Sequence, residues 1–245
     1  MKYAMPVHPK VLEKDYKTNL AILFDLKTLT KKLKEIDSFR YSKTGPEHNT
    51  LLRSLNKFLY KTWFEVNLKK GINLRDREKL VPLFKEMNRV FGGAYYSDTL
   101  YRGVRLSKVL GPTDLSDTYP NSINDPKVVS HLESLAYGLR SWTKTERVAT
   151  QWASGAADGR GEIKDRDLVI FQLKSTEVVL DADKVLDYYY NNKYKNIINE
   201  FPMLDAEEVI VNIKNPKVVN INRSSRWLDL STQIRFFLVE IEDMG

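Results

Sequence analysis

The dominant hydrophobic pattern shifts at Gly92-Gly93 from helical to strand-rich with a few helices, and that shift most limits the possible folds. Before it, apolar residues recur at helical spacing. Leu26, Leu29, Leu33 and Ile36 form one stripe, with Lys27, Lys31, Lys32 and Lys34 elsewhere on the helix. Tyr41-Ser42-Lys43-Thr44-Gly45-Pro46 reads as a loop, and a second helix runs from near Glu47 through Leu55, Phe58 and Trp63 to Gly71. A third carries Leu80, Leu83, Phe84, Met87, Val90 and Phe91 up to the glycine pair. Beyond it, the apolar residues cluster in short strand-like runs: Leu100 to Val104, Leu168 to Leu173, Val178 to Leu180, Val209 to Val211, Val218 to Ile221 and Ile234 to Ile241. A helical block followed by mostly antiparallel strands predicts an α+β protein, not a parallel α/β one. The expected division is a helical region over residues 1–93 packed on a strand-rich domain over residues 94–245.

Composition narrows the classes. With 245 residues, 42% of them hydrophobic and 11% aromatic, the chain can bury a real core. No apolar run reaches membrane-spanning length and the first residues lack a signal-peptide core, so a soluble, cytoplasmic monomer without membrane contact is expected. There is no cysteine, hence no disulfide framework and no thiolate metal site. His8, His48 and His131 are too scattered for a metal cluster or a catalytic triad, so no metal is expected. No P-loop and no Rossmann fingerprint occurs. A net charge of +7 favours acidic or nucleic-acid-associated partners, although solubility alone also explains such an excess.

Three stretches of the second region carry potential chemistry. Leu100-Tyr101-Arg102-Gly103-Val104 is an apolar run with one arginine inside it. Ser141-Trp142-Thr143 precedes a helix on which Val148, Ala149, Trp152 and Ala153 repeat; Thr143 and Glu146 read as a capping box, and Gly155 as a left-handed stop. Ser141 is therefore expected just outside a helix start, where hydroxyls and free N–H groups gather. Glu208 opens the run Val209-Ile210-Val211. Around these, residues 106 to 126 read as a long polar loop, and Asn124-Asp125-Pro126 as the start of a helix with Val128, Leu132, Leu135, Ala136 and Leu139 on its buried side. Asp183 reads as the cap of a helix carrying Leu186 and Tyr188 to Tyr190. Taken singly, the arginine could be an ion pair at a sheet edge, the serine a plain helix start and the glutamate a solvated acid.

As an ordered set, an Arg on one strand, a Ser ahead of a helix and a Glu opening a later strand, the chain resembles the mono-ADP-ribosyltransferases of the Arg-Ser-Glu class over roughly residues 95 to 245. The resemblance implies a split β-sandwich and NAD as substrate, with Glu208, Ser141 and Arg102 catalytic. It implies NAD contacts from Arg102, Tyr101, Gly103, Ser141, Trp142, Thr143 and Arg160, the last in a glycine-rich loop, Gly155 to Gly161. The family usually has Ser-Thr-Ser where this chain has Ser141-Trp142-Thr143, and Glu or Gln two residues before the catalytic Glu, where this chain has Ala206. Alternation along an extended segment would put Ala206 and Glu208 on one face, Asp205 and Glu207 on the other. Acceptor recognition would involve Glu207, Ala206 and Phe201, with arginine of a host protein, of the transcription or translation machinery, as the implied acceptor. Size, charge and the missing signal point to a bacteriophage enzyme or a bacterial effector. Two other readings stand beside this one: an NAD glycohydrolase with water as acceptor, and a non-enzymatic basic module binding RNA or ribosomes.

Overall fold

The computed structural model describes residues 78, 80–107, 121–154, 166–184, 187, 207–227 and 233–245. The first two expected N-terminal helices, most of the long polar loop, the glycine-rich loop with Arg160, and the segment with Phe201, Asp205 and Ala206 lie outside them. The described residues form a mixed α/β arrangement with one large sheet and few helices.

Helix α1 (Val81–Phe91) is the third of the expected N-terminal helices. Proline in its first turn fits a helix start, and Leu83, Phe84, Met87, Val90 and Phe91 give it a buried face. It stops at Gly92, whose φ of 69° is left-handed; the Gly93 N–H donates to the Asn88 carbonyl at 2.9 Å. Gly93 is needed for a further reason: a Cβ there would run into the Asn88 side chain. That side chain is already committed. Its Oδ1 accepts from the Asp181 N–H at 2.9 Å and its Nδ2 donates to the Ala94 carbonyl at 2.8 Å, fastening the end of α1 to a later strand.

The strands are β1 (Tyr96–Ser107), β2 (Gly138–Thr143), β3 (Arg166–Glu177), β4 (Leu180–Asp181), β5 (Glu208–Ile213), β6 (Pro216–Trp227) and β7 (Gln233–Asp243), in the spatial order β4-β5-β2-β1-β3-β7-β6. All neighbours are antiparallel except β3 and β7. β1 pairs with β3 from Tyr96 opposite Glu177 to Ser107 opposite Arg166, but meets β2 at a single position, Tyr101 opposite Thr143. The sheet therefore divides into a half of β4, β5 and β2 and a half of β1, β3, β7 and β6.

Helix α2 (Pro126–Ala136) starts as its sequence predicts, with the Asp125 carboxylate accepting the Lys127 N–H at 2.9 Å. Its Val128, Leu132 and Ala136 join Leu100, Trp142, Phe171, Val209, Val211 and Val239 in a core drawn from both halves of the sheet. Leu139, expected on this helix, stands instead on β2, because the helix ends at Ala136 and the chain is extended from Gly138. Helix α3 (Glu146–Ser154) covers the other face of β1 and β3 through Ala149 and Ala153, against Leu168, Ile170 and Phe236. Along β3, Val169, Phe171 and Leu173 thus enter one core while Leu168 and Ile170 enter the other. Burial on both faces explains why the run is apolar without alternation.

Candidate active site

Three separate segments meet where the two halves of the sheet join. Arg102 lies on β1, next to Tyr101 at the single β1–β2 contact. Ser141 lies on β2, not outside a helix: the strand runs to Thr143 and α3 begins at Glu146. The expected capping box is not formed in that register, since Glu146 is the first residue of the helix, not the third. The Thr143 hydroxyl instead accepts the Thr145 N–H at 3.3 Å and shapes the turn between strand and helix. Glu208 is the first residue of β5 and sits opposite Thr143 in the β2–β5 ladder.

Alternation decides which side chains face this point. On β5, Val209, Val211 and Ile213 fill the core, which turns Glu208 to the opposite face. On β2, Trp142 fills the same core, and Ser141 and Thr143 share the Glu208 side. The Arg102 Nη1 donates to the Ser141 carbonyl oxygen at 2.8 Å, and the Ser141 side chain hydrogen-bonds the Glu208 carboxyl.

Glu208 is 7% exposed, and its Oε1 has no hydrogen-bond partner among the described residues. Burial is the main influence on its titration, pushing the carboxyl up to about 8; the Ser141 hydrogen bond and the Arg102 charge pull the other way, and the Asp183 charge adds to the rise. Burial therefore favours the protonated acid, and a nearby cation would favour its ionisation.

The other expected site residues fall into distinct places. Tyr101 packs against the smaller core, and its hydroxyl oxygen accepts from Gln172 Nε2 at 3.5 Å. Gly103 faces α3: a Cβ there would collide with the Ala149 carbonyl, so the glycine is accounted for by close approach of helix and strand. Trp142 is buried in the large core, on the face away from Ser141, and is not brought to the site. Glu207 immediately precedes β5, and strand alternation does not set its direction. Its φ of 43° is left-handed, its carbonyl accepts the Lys144 N–H at 3.2 Å, and the extended chain begins only at Glu208. Arg160, Phe201 and Ala206 lie outside the described residues.

Sequence reasoning missed a polar cluster beside these groups. Lys144 Nζ lies 3.0 and 3.1 Å from the two Asp181 oxygens and 3.1 Å from Asp183 Oδ2. Asp181 ends β4, and Asp183 stands among the helical residues 182–184 that follow, within the first turn and not before it as a cap. The available signal was an Asp-Ala-Asp directly after an apolar run, with a lysine directly after Thr143.

No protein-family model and no curated protein matches the chain. Among solved structures, similar ones include the enzymatic component C2-I of the C2 toxin from Clostridium botulinum, at 14% identity and a TM-score of 0.37 over 86% of this chain and 46% of that one. Vis toxin, an ADP-ribosyltransferase from Vibrio splendidus, is 9% identical with a TM-score of 0.35, over 89% of this chain and 86% of that one. C3larvin toxin, an ADP-ribosyltransferase from Paenibacillus larvae, is 9% identical with a TM-score of 0.27, over 98% and 89%. The chain spans under half the length of the C2-I component.

Proposed function

We propose that the chain is a mono-ADP-ribosyltransferase that cleaves NAD between nicotinamide and ribose and passes the ADP-ribosyl group to a protein arginine. The observation that carries this reading is the buried carboxyl of Glu208, hydrogen-bonded by Ser141 with Arg102 beside it and one oxygen left without a partner among the described residues. A buried polar atom of this kind is costly unless something in the working state satisfies it.

The chemistry matches the residue types. Cleavage of the nicotinamide–ribose bond develops positive charge on the ribose while the diphosphate stays negative. The nicotinamide ring of NAD is itself cationic, so its arrival favours the ionised form of Glu208. The carboxylate then accepts a hydrogen bond from the ribose 2′-hydroxyl and offsets the developing charge, as a carboxylate does in glycoside hydrolysis. Ser141 fixes the carboxyl rotamer, and Arg102 positions β2 through the Ser141 carbonyl and turns positive charge toward the diphosphate. Thr143 supports the turn behind them. The resemblance assigns a phosphate contact to Arg160 and acceptor contacts to Glu207 and Phe201; Arg160 and Phe201 lie outside the described residues. The bond to nicotinamide breaks with its electron pair leaving on the ring nitrogen. The acceptor nitrogen attacks the ribose C1 and loses a proton.

The net charge of +7 supports a target in nucleic-acid-associated machinery. Incubation with NAD labelled in its adenylate half, together with a cell extract, tests the reading. Label on a protein band supports the transferase, free ADP-ribose alone supports a glycohydrolase, and neither leaves a basic binding module.

A further inference from the structure

The Lys144 cluster has no part in the NAD cleavage described above, and its charges do not balance. Asp181 is 1% exposed and gives both oxygens to Lys144, with Oδ2 also facing the Ala94 N–H at 3.4 Å. This pair is satisfied and internally neutral. Asp183 shares the same ammonium through Oδ2, but it is only half-buried. Glu207 lies within charge reach of Asp183, and Asp183 within charge reach of Glu208. One lysine thus serves two aspartates, with the Glu207 charge within reach of the second, which gives this rim a surplus of negative charge in a chain that is basic as a whole.

The surplus is held in place by the fold. Lys144 follows Thr143, the residue opposite Glu208, and its own N–H binds the Glu207 carbonyl. The lysine therefore fixes Asp183 through its side chain and Glu207 through its backbone, next to the start of β5 that carries Glu208. NAD brings two phosphates, which a doubly acidic rim repels, so the rim suits the second substrate better than the first.

We propose that Asp183, braced by Lys144, is a specificity-determining residue that receives the cationic side chain of the acceptor, a planar guanidinium shared with Glu207. A guanidinium presents several donors in a fixed fork and can engage two carboxylates together, whereas an ammonium is a compact point charge. This inference rests on the transferase reading, and its test separates the two.

The full chain is assayed with NAD and arginine methyl ester at pH 9, above the value at which Glu208 ionises, with lysine methyl ester as the comparison. The wild type is expected to use the arginine ester at least tenfold better. Asp183→Asn should raise KM for the arginine ester at least tenfold while KM for NAD moves less than twofold, and Asp183→Glu should recover part of the loss. A second variant, Glu207→Gln, which leaves the Lys144 ion pairs in place, should shift KM for the ester in the same direction. Equal use of both esters, an unchanged KM for the ester in folded Asp183→Asn and Glu207→Gln, or a parallel rise in KM for NAD would each overturn the assignment. Absence of any NAD cleavage by the wild type would instead remove the transferase reading, and the acceptor site with it.

Discussion

Arg102 and Ser141, 39 residues apart in sequence, are joined by a hydrogen bond of 2.8 Å from the guanidinium Nη1 to the backbone carbonyl oxygen. The contact spans the narrow seam where β1 and β2 pair at one position, so a side chain does there what a ladder of backbone bonds does elsewhere in the sheet. It also fixes the strand whose serine holds Glu208.

Replacing Arg102 with lysine keeps the charge and loses the fork. Kd for NAD, measured by titration calorimetry, should rise at least tenfold, about 1.4 kcal/mol. An unchanged Kd would remove Arg102 from the NAD site.

The buried Glu208 carboxyl makes stability depend on pH in a defined direction. Its value is raised from 4.5 to about 8 in the folded protein, so the folded state binds the proton more tightly than the unfolded chain. The resulting stabilisation is complete below the unfolded value and is lost as pH rises toward about 8, at up to ~1.4 kcal/mol per pH unit. Urea unfolding across that range should show the slope in the wild type, and Glu208→Gln should flatten it. Equal slopes would show that Glu208 titrates normally.

Gly103→Ala should destabilise the fold by roughly 2 kcal/mol or more, because the new methyl group meets the Ala149 backbone and α3 must move off β1. Gly92→Ala should cost only about 1 kcal/mol: space is open there and only the left-handed φ is strained. Thermal unfolding of the two variants checks the order.

Lys144→Met leaves the buried Asp181 carboxylate without its cation, which should cost about 3 kcal/mol in urea unfolding. Lys144→Arg should recover part of it. A neutral Lys144→Met would mean that the Asn88 and Ala94 contacts suffice to hold Asp181.

The catalytic candidates were legible in the sequence where a residue type had no cheaper local explanation. An arginine inside the apolar run Leu100 to Val104 and a glutamate directly before Val209-Ile210-Val211 stand out from the strands that carry them, and both lie at the seam. Ser141 was found for a partly wrong reason. Thr143 and Glu146 fit a capping box, but the strand consumed Thr143 and moved the helix start to Glu146, a boundary that β2–β5 pairing decides and local propensity does not. Leu139 failed in the same way, since its spacing fits α2 while its partner Asn212 belongs to β5. Gly103 reads as a ligand contact in sequence and as a helix–strand contact in three dimensions, because only packing reveals that α3 crosses there. The Asp-Ala-Asp after an apolar run and the lysine after Thr143 were the only signals of the Lys144, Asp181 and Asp183 cluster, because its members come from segments that only the sheet order brings together. Glu207 is named in the sequence as an acceptor contact, but its conformation is not legible there, because a left-handed non-glycine residue breaks the alternation that reading by pairs assumes.

Nicotinamide release from NAD by the purified chain, compared between the wild type and Glu208→Gln at pH 9, tests the central claim most directly. The account predicts release by the wild type and a loss on the order of 10²–10³ in the variant, with the variant folded by circular dichroism. Release at the wild-type rate by folded Glu208→Gln would contradict it.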